Sequence, residues 1–306
     1  PFDISNIAHI DHCVRESIKL GMNPIDAISI ASRNCFDYYK MGSDFGGIGP
    51  GKVADILILD DYKKIKINKV ILGGKIVVSN GKLVAKIHTP KVPTWMKKTV
   101  KIPKLQPKSF NVTSKNNVET VNTILMRTEI VTKKSSADLD VTNSNVSASY
   151  DKDIWKVAAL DRTFGSKTKT VGFLENFGAD IGAFASTWSF HENDMIVIGS
   201  NESDMADACN KLTKSQGGLI VVKDGKTLAS LPFQLGGILS TDPIDKVTKN
   251  LTKINDVLSD SGCKFKKPHL MPLFLPFLAL PDIRILYSGI VDVKSRQFIP
   301  TIQTKL

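Results

Sequence analysis

Four stretches of this 306-residue chain combine residue types that could do chemistry. The densest is His191, Glu192, Asn193 and Asp194, which follows the small residues Ala183, Ala185, Ser186 and Thr187 and precedes the apolar run Met195-Ile196-Val197-Ile198. A polar knot between two buried strands, followed by a helix N-terminus, reads as the mouth of a site. The plainer reading is a hydrogen-bonded turn at a strand end. His9 and His12 have the spacing of two metal ligands on one helical face, but no third ligand lies near them, so surface histidines are the simpler account. Asp60-Asp61 ends a strand and reads as a turn rather than an acid–base dyad. Gly46 to Gly51 is dense in glycine like a phosphate cradle, yet neither a Lys-Ser/Thr pair nor a helix start follows it, which leaves a loop. His88 and His269 fall in Lys/Pro-rich loops and carry no signal of their own.

The polar knot needs elements to hold it. The runs Gly178 to Thr187 and Met195 to Ile198 are of strand character, the first small enough to admit a close neighbour and the second closed by Gly199. Ser200-Asn201 stands where an N-cap belongs, and Asp204 to Lys214 follows as a helix. Upstream, Ile7, Ile10, Val14 and Ile18 form one helical stripe ended by Gly21. Asn23-Pro24-Ile25-Asp26 restarts a helix that fades by Asn34. Ala54 to Leu59 and Lys69 to Val78 read as strands, with Gly73-Gly74 and Asn80-Gly81 as hairpin turns. Thr123 to Thr132 is a clear strand, Ser135 to Tyr150 a surface loop, and Asp153 to Arg162 begins another strand. Toward the end, Ile244, Val247, Leu251, Ile254 and Leu258 make one apolar helix face stopped by Gly262, and Pro272, Pro276 and Pro281 break the apolar segment after it.

Composition narrows the class. The hydrophobic share of 42% and charged share of 23% are those of a globular protein. No run of about 18 apolar residues and no signal segment is present, so no membrane partner is expected. Four scattered cysteines, without a CxxC pair, fit a reducing cytoplasm. The net charge of +11 arises between Tyr62 and Lys104, where twelve lysines meet no acidic residue. Almost no arginine or aromatic residue is interleaved among them, which favours a solvated sheet face, so no nucleic-acid partner is expected. The chain opens at Pro1, which suggests a processed piece or a fragment.

Several stretches carry a resemblance. NPIDAISIASRNCFDYYKM, FGGIGPGKVADILILDD and INKVILGGKIVVSNGKLV resemble the exit from an amidohydrolase-superfamily barrel, with Pro1 to His12 similar to the segment after the last barrel strand of adenine deaminases. Asp153 to Arg162, Thr170 to Phe173, Ile181 to Thr187, Gly217 to Gly225, Leu231 to Phe233, Gly236 to Ser240 and Phe274 to Pro281 are similar to the adenine deaminase C-terminal domain. The resemblance implies a mixed α/β and α+β chain. Residues 1–45 would be terminal helices of an amidohydrolase (β/α)8 barrel, 46–92 a β-sandwich portion, and 93–306 a C-terminal α+β domain.

It also implies an activity, adenine plus water to hypoxanthine plus ammonia, at a binuclear Mn or Fe site. The metal ligands would lie in a missing N-terminal barrel half, so none is expected in this chain, which would be inactive alone. A homo-oligomer is expected as well. Within this sequence His191 and Glu192 are the catalytic candidates, as a proton relay, and Arg162, Ser186 and Asn193 the candidates for substrate contact. Two departures from the family pattern, Phe190 in the turn and Thr163 after Arg162, keep two other readings open. One is a non-catalytic binding or assembly module, the other a diverged aminohydrolase with another purine-like substrate.

Overall fold

The structure is a computed structural model that describes residues 9–86, 91–190 and 192–303. The chain divides into two compact units, Pro1–Lys91 and Val92–Leu306.

In the first unit, helix α1 (Ile10–Lys19) carries Asp11 in its first turn, where a negative charge suits the helix dipole. Asp11 also accepts from Arg15 one turn on at 2.5 Å. The Asn23 side chain caps α2 (Pro24–Ile30) by accepting from the Ile25 amide at 2.9 Å, with Pro24 at the first helical position. The expected fade to Asn34 is instead a break. Ser32 leaves the helical region at φ −139° and a separate helix α3 (Arg33–Tyr38) follows. Strands β1 (Ile56–Asp61), β2 (Lys66–Leu72), β3 (Lys75–Ser79) and β4 (Lys82–Leu83) form an antiparallel meander in chain order. Its turns place Gly73, Gly74, Asn80 and Gly81 at positive φ, as hairpin turns demand. Val14, Ala27 and Ile65 are buried together, with Leu59 and Ile67 of the sheet and Ile18 and Ile28 of the helices packed around them.

The second unit is built on a nine-stranded mixed sheet, ordered β13-β12-β10-β11-β8-β9-β5-β6-β7. These are β5 (Val118–Met126), β6 (Thr132–Thr142), β7 (Asn145–Val146), β8 (Ile154–Asp161), β9 (Lys169–Glu175), β10 (Ala183–Ser186), β11 (Asp194–Gly199), β12 (Gly218–Lys223) and β13 (Lys226–Pro232). β5 and β9 pair in parallel and the other neighbours antiparallel. The expected surface loop from Ser135 is therefore wrong in its first half. β6 pairs along the whole of β5, and only Thr132 and Leu139 on it are buried, so an almost wholly polar sequence can still be a strand near the sheet margin.

Helix α4 (Glu202–Ser215) lies on one face of the central strands, capped by Asn201, which accepts from the Asp204 amide at 2.8 Å. Its Met205, Cys209 and Leu212 pack on Ala158, Leu160, Ala183, Ala185, Met195 and Val197. Small residues let the helix approach closely. A Cβ on Gly182 would stand 1.7 Å from Asp204 Oδ2. Side chains alternate across a strand, so the buried Phe184, Ile196, Ile198, Leu219 and Val221 line the opposite face. Helix α5 (Ile244–Asp260) buries Leu251, Ile254 and Leu258 and packs on β12 and β13. After it the prolines reduce helix to one turn, α6 (Met271–Phe274), and a small sheet follows, β14 (Ile283–Leu286), β15 (Gly289–Asp292) and β16 (Gln297–Ile299).

Candidate functional site

Strand direction gathers the candidates. β8 ends at Asp161, β10 ends at Ser186, and β11 and β12 begin at Asp194 and Gly218. The antiparallel registers Asp161↔Asp194, Ser186↔Ile196 and Ser186↔Leu219 bring these four termini to one end of the sheet. Arg162, Ser186, Glu192 and Asn193 therefore converge there, although they lie far apart along the chain. His191 lies outside the described residues.

Arg162 is the hub. It is 2% exposed, and its guanidinium donates to the Gly236 carbonyl at 3.0 Å and to Asn193 Oδ1 at 3.1 Å. Burial pulls its pKa downward, opposed by the nearby Asp194. Gly237, at φ +74°, closes over the guanidinium so tightly that a Cβ would sit 2.7 Å from Nη1. Asn193 occupies the left-handed region at φ +59°, a conformation asparagine tolerates better than most residues. Its amide donates to Ser189 Oγ at 3.0 Å.

Ser186 accepts from the Trp188 amide at 3.0 Å and is buried. Thr187 joins two glycine loops to the turn. Its hydroxyl donates to the Gly237 carbonyl at 2.6 Å and accepts from the Gly218 amide at 2.7 Å.

The carboxylates differ in surroundings. Glu192 Oε1 accepts from the Leu278 amide at 3.2 Å. Asp161 is saturated by the amides of Thr163, Phe164 and Ser166, with the Ser166 hydroxyl at 2.5 Å, and this hydrogen bonding outweighs burial to hold its pKa below the usual carboxylate value. Asp194 is 1% exposed and accepts from the Tyr287 amide at 3.0 Å through Oδ2. Burial, with Glu192 and Asp161 nearby, pushes its pKa up to about 7.

His269 carries no signal of its own in the sequence, yet it packs against the turn. It is buried, its ring lies parallel to that of Trp188 with centroids 6.1 Å apart, and its Nδ1 is 2.8 Å from Asn255 Oδ1. Burial draws its pKa down to about 4, so the ring is neutral and Nδ1 is the donating nitrogen. On the other side of the turn Phe190 packs on Phe274 and Phe277, at 5.3 and 4.5 Å between centroids.

The remaining candidates stay apart from this cluster. His12 faces Glu16 at 3.9 Å on the surface of α1. Asp60 accepts from Asn68 at 2.7 Å, and Asp61 accepts from the amides of Lys63 and Lys64, which makes the pair a turn. Among the described residues no three His, Cys, Asp or Glu side chains come together as a metal site, and no helix is long and apolar enough to cross a membrane.

Comparison with known proteins agrees with the resemblance. Residues 129–297 match the family described as "Adenine deaminase C-terminal domain", and residues 4–84 match "Amidohydrolase family". A protein of Cenarchaeum symbiosum named adenine deaminase is 53% identical over 99% of this chain and 50% of its own length. Adenine deaminases of Desulforamulus reducens and Kosmotoga olearia are 33% and 31% identical over 98% of the chain, matched along 51% and 52% of their own lengths. The chain thus spans about half the length of the curated relatives it matches. With the C-terminal domain match alone covering more than half of its residues, the chain belongs to the adenine deaminase family.

Proposed function

We propose that this chain is the C-terminal part of an adenine deaminase, a hydrolase that converts adenine and water to hypoxanthine and ammonia. The observation that carries the reading is the identity to proteins of that name, sustained over nearly the whole chain. In this reading 1–45 are terminal barrel helices, 46–92 a β-sandwich portion and 93–306 the C-terminal domain. The first unit supports such a role. Ile10, Val14, Ile28, Phe36, Phe45 and Ile65 line an apolar cavity of about 400 Å³, and Ile10, Ile25 and Ile30 are exposed.

The Mn or Fe pair implied by the family does not fit the described residues, which offer no ligand cluster for it. Its ligands are assigned to the rest of the protein. What this chain contributes is the turn at 188–194. Glu192 and His191 are its proton-handling groups. Arg162, which fixes the Asn193 side chain, and Ser186, which fixes the Trp188 amide, shape the edge that meets the purine. The protein is proposed to act in the cytoplasm as a homo-oligomer.

Ammonia release from adenine by the full-length protein tests this reading. Glu192→Gln should lower kcat by about two orders of magnitude, the usual weight of a positioned acid–base group. Full activity in that variant would remove Glu192 from the mechanism. Activity on another purine but not on adenine would replace the substrate.

A further inference from the structure

Alternate residues of the site turn face the same partner. Trp188 lies against His269, Phe190 against Phe274 and Phe277, Glu192 accepts from the Leu278 amide and Asp194 from the Tyr287 amide. Between them, Asn193 donates its amide to Ser189 Oγ and accepts from Arg162 through Oδ1. The turn is thus zipped, every second residue, along one continuous stretch of the chain, and the prolines at 272, 276 and 281 keep that stretch from becoming a regular helix.

We infer that residues 269–287 are the positioning element of the site turn, and that Asp194 is the positioning residue that fastens its β11 end. The consequence for catalysis rests on the proposed reading of the turn as part of the site, whereas the fastening rests on geometry alone.

Asp194 suits this role because it is held on one side only. Oδ2 takes the Tyr287 amide, while Oδ1 is buried without a hydrogen-bond partner in the structure. The charged groups around it are Asp161 and Arg162 from β8 and Glu192 from the turn. Asp161 is committed to amides of its own loop, and the Arg162 bonds go to Gly236 and Asn193. A protonated carboxyl fits this environment. An ionised one would be a buried anion near Glu192 and Asp161, which the Tyr287 amide and Arg162 offset only in part, so raising pH through the range in which Asp194 titrates should favour opening of the strap that brings the carboxylate to water.

Hydrogen exchange on the full-length protein tests this, comparing wild type, Asp194→Ala and Asp194→Asn and correcting for intrinsic exchange. In Asp194→Ala, peptides spanning 186–194 and 276–288 should exchange ~10-fold faster, with β8 and α4 unchanged. Asp194→Asn keeps an acceptor for the Tyr287 amide and cannot ionise. It should therefore match wild-type protection at about pH 4 and lack the rise in exchange expected of wild type between about pH 4 and about pH 7. Rates within twofold of wild type in both segments of Asp194→Ala would overturn the inference. So would an Asp194→Asn profile that follows the wild-type pH dependence, a comparison that stands even if Asp194→Ala fails to fold.

Activity separates the two layers. If the turn belongs to the site, Asp194→Ala lowers kcat with little change in KM. Faster exchange with unchanged kcat would keep the strap and remove the turn from the mechanism.

Discussion

Replacing Arg162 probes the site from its centre. The side chain is 2% exposed and joins three segments: β8, which it follows, the Gly236-Gly237 loop and Asn193 of the turn. Arg162→Met keeps most of the buried volume but leaves the Gly236 carbonyl and Asn193 Oδ1 without their donor. Both acceptors are half-buried and each loses a hydrogen bond to a charged donor, worth about 1.5–3 kcal/mol, and removing a charge whose burial is itself unfavourable offsets part of that. A net loss of about 3 kcal/mol follows for Arg162→Met. Arg162→Lys should lose about half as much, because an ammonium reaches one acceptor where the guanidinium fork reaches two. All three tryptophans, Trp95, Trp155 and Trp188, fall in the second unit, so urea unfolding of this chain followed by tryptophan fluorescence reads that unit alone. A loss below about 1 kcal/mol in Arg162→Met would refute the hub reasoning. Equal losses in Met and Lys variants would refute the two-acceptor argument.

Other outcomes follow from the same packing. Gly182→Ala places a methyl 1.7 Å from Asp204 Oδ2, the carboxylate that accepts from the Asp224 and Gly225 amides at 2.9 and 2.8 Å. It should cost about 3 kcal/mol in urea unfolding, through overpacking and the loss of that bridge. Glu202→Gln leaves the Lys156 ammonium, 1% exposed and now bonded to Glu202 at 2.6 Å, as a buried charge without its counterion, a loss of about 3 kcal/mol. Two buried groups titrate in one window with opposite signs. His269 is neutral in the fold with its pKa depressed to about 4, so its contribution is complete above the unfolded value near 6.5 and is lost as pH falls toward 4, by about 3 kcal/mol in all. Asp194 is raised to about 7, so its contribution is complete below about 4 and is lost as pH climbs to 7. Thermal melts across pH should therefore show His269→Gln flattening the acid side and Asp194→Asn removing the decline toward neutrality.

What the sequence made legible was local. Asn23 and Asn201 were readable as caps because an Asx side chain before a helix has one favourable use. Gly73-Gly74 and Asn80-Gly81 were readable because tight hairpins need positive φ. The 191–194 knot stood out because polar residues rarely interrupt such apolar runs. What escaped was whatever depends on a distant partner. β6 has no apolar alternation strong enough to declare it, and becomes a strand only because β5 lies beside it. His269 has no local pattern, since Trp188 and Asn255 give it its environment. Ser32 ends α2 through a backbone change that no glycine or proline marks. Arg162 was visible only through the family resemblance, and its hold on Asn193 and Gly236 depends on strand order.

Ammonia release from adenine, with added manganese or iron, should be measured for this chain alone and for the same chain within the full-length protein. Deamination is expected from the full-length protein and none from this chain. Metal binding without adenine turnover in the full-length protein would contradict the substrate, and absence of both metal and turnover would contradict the enzyme.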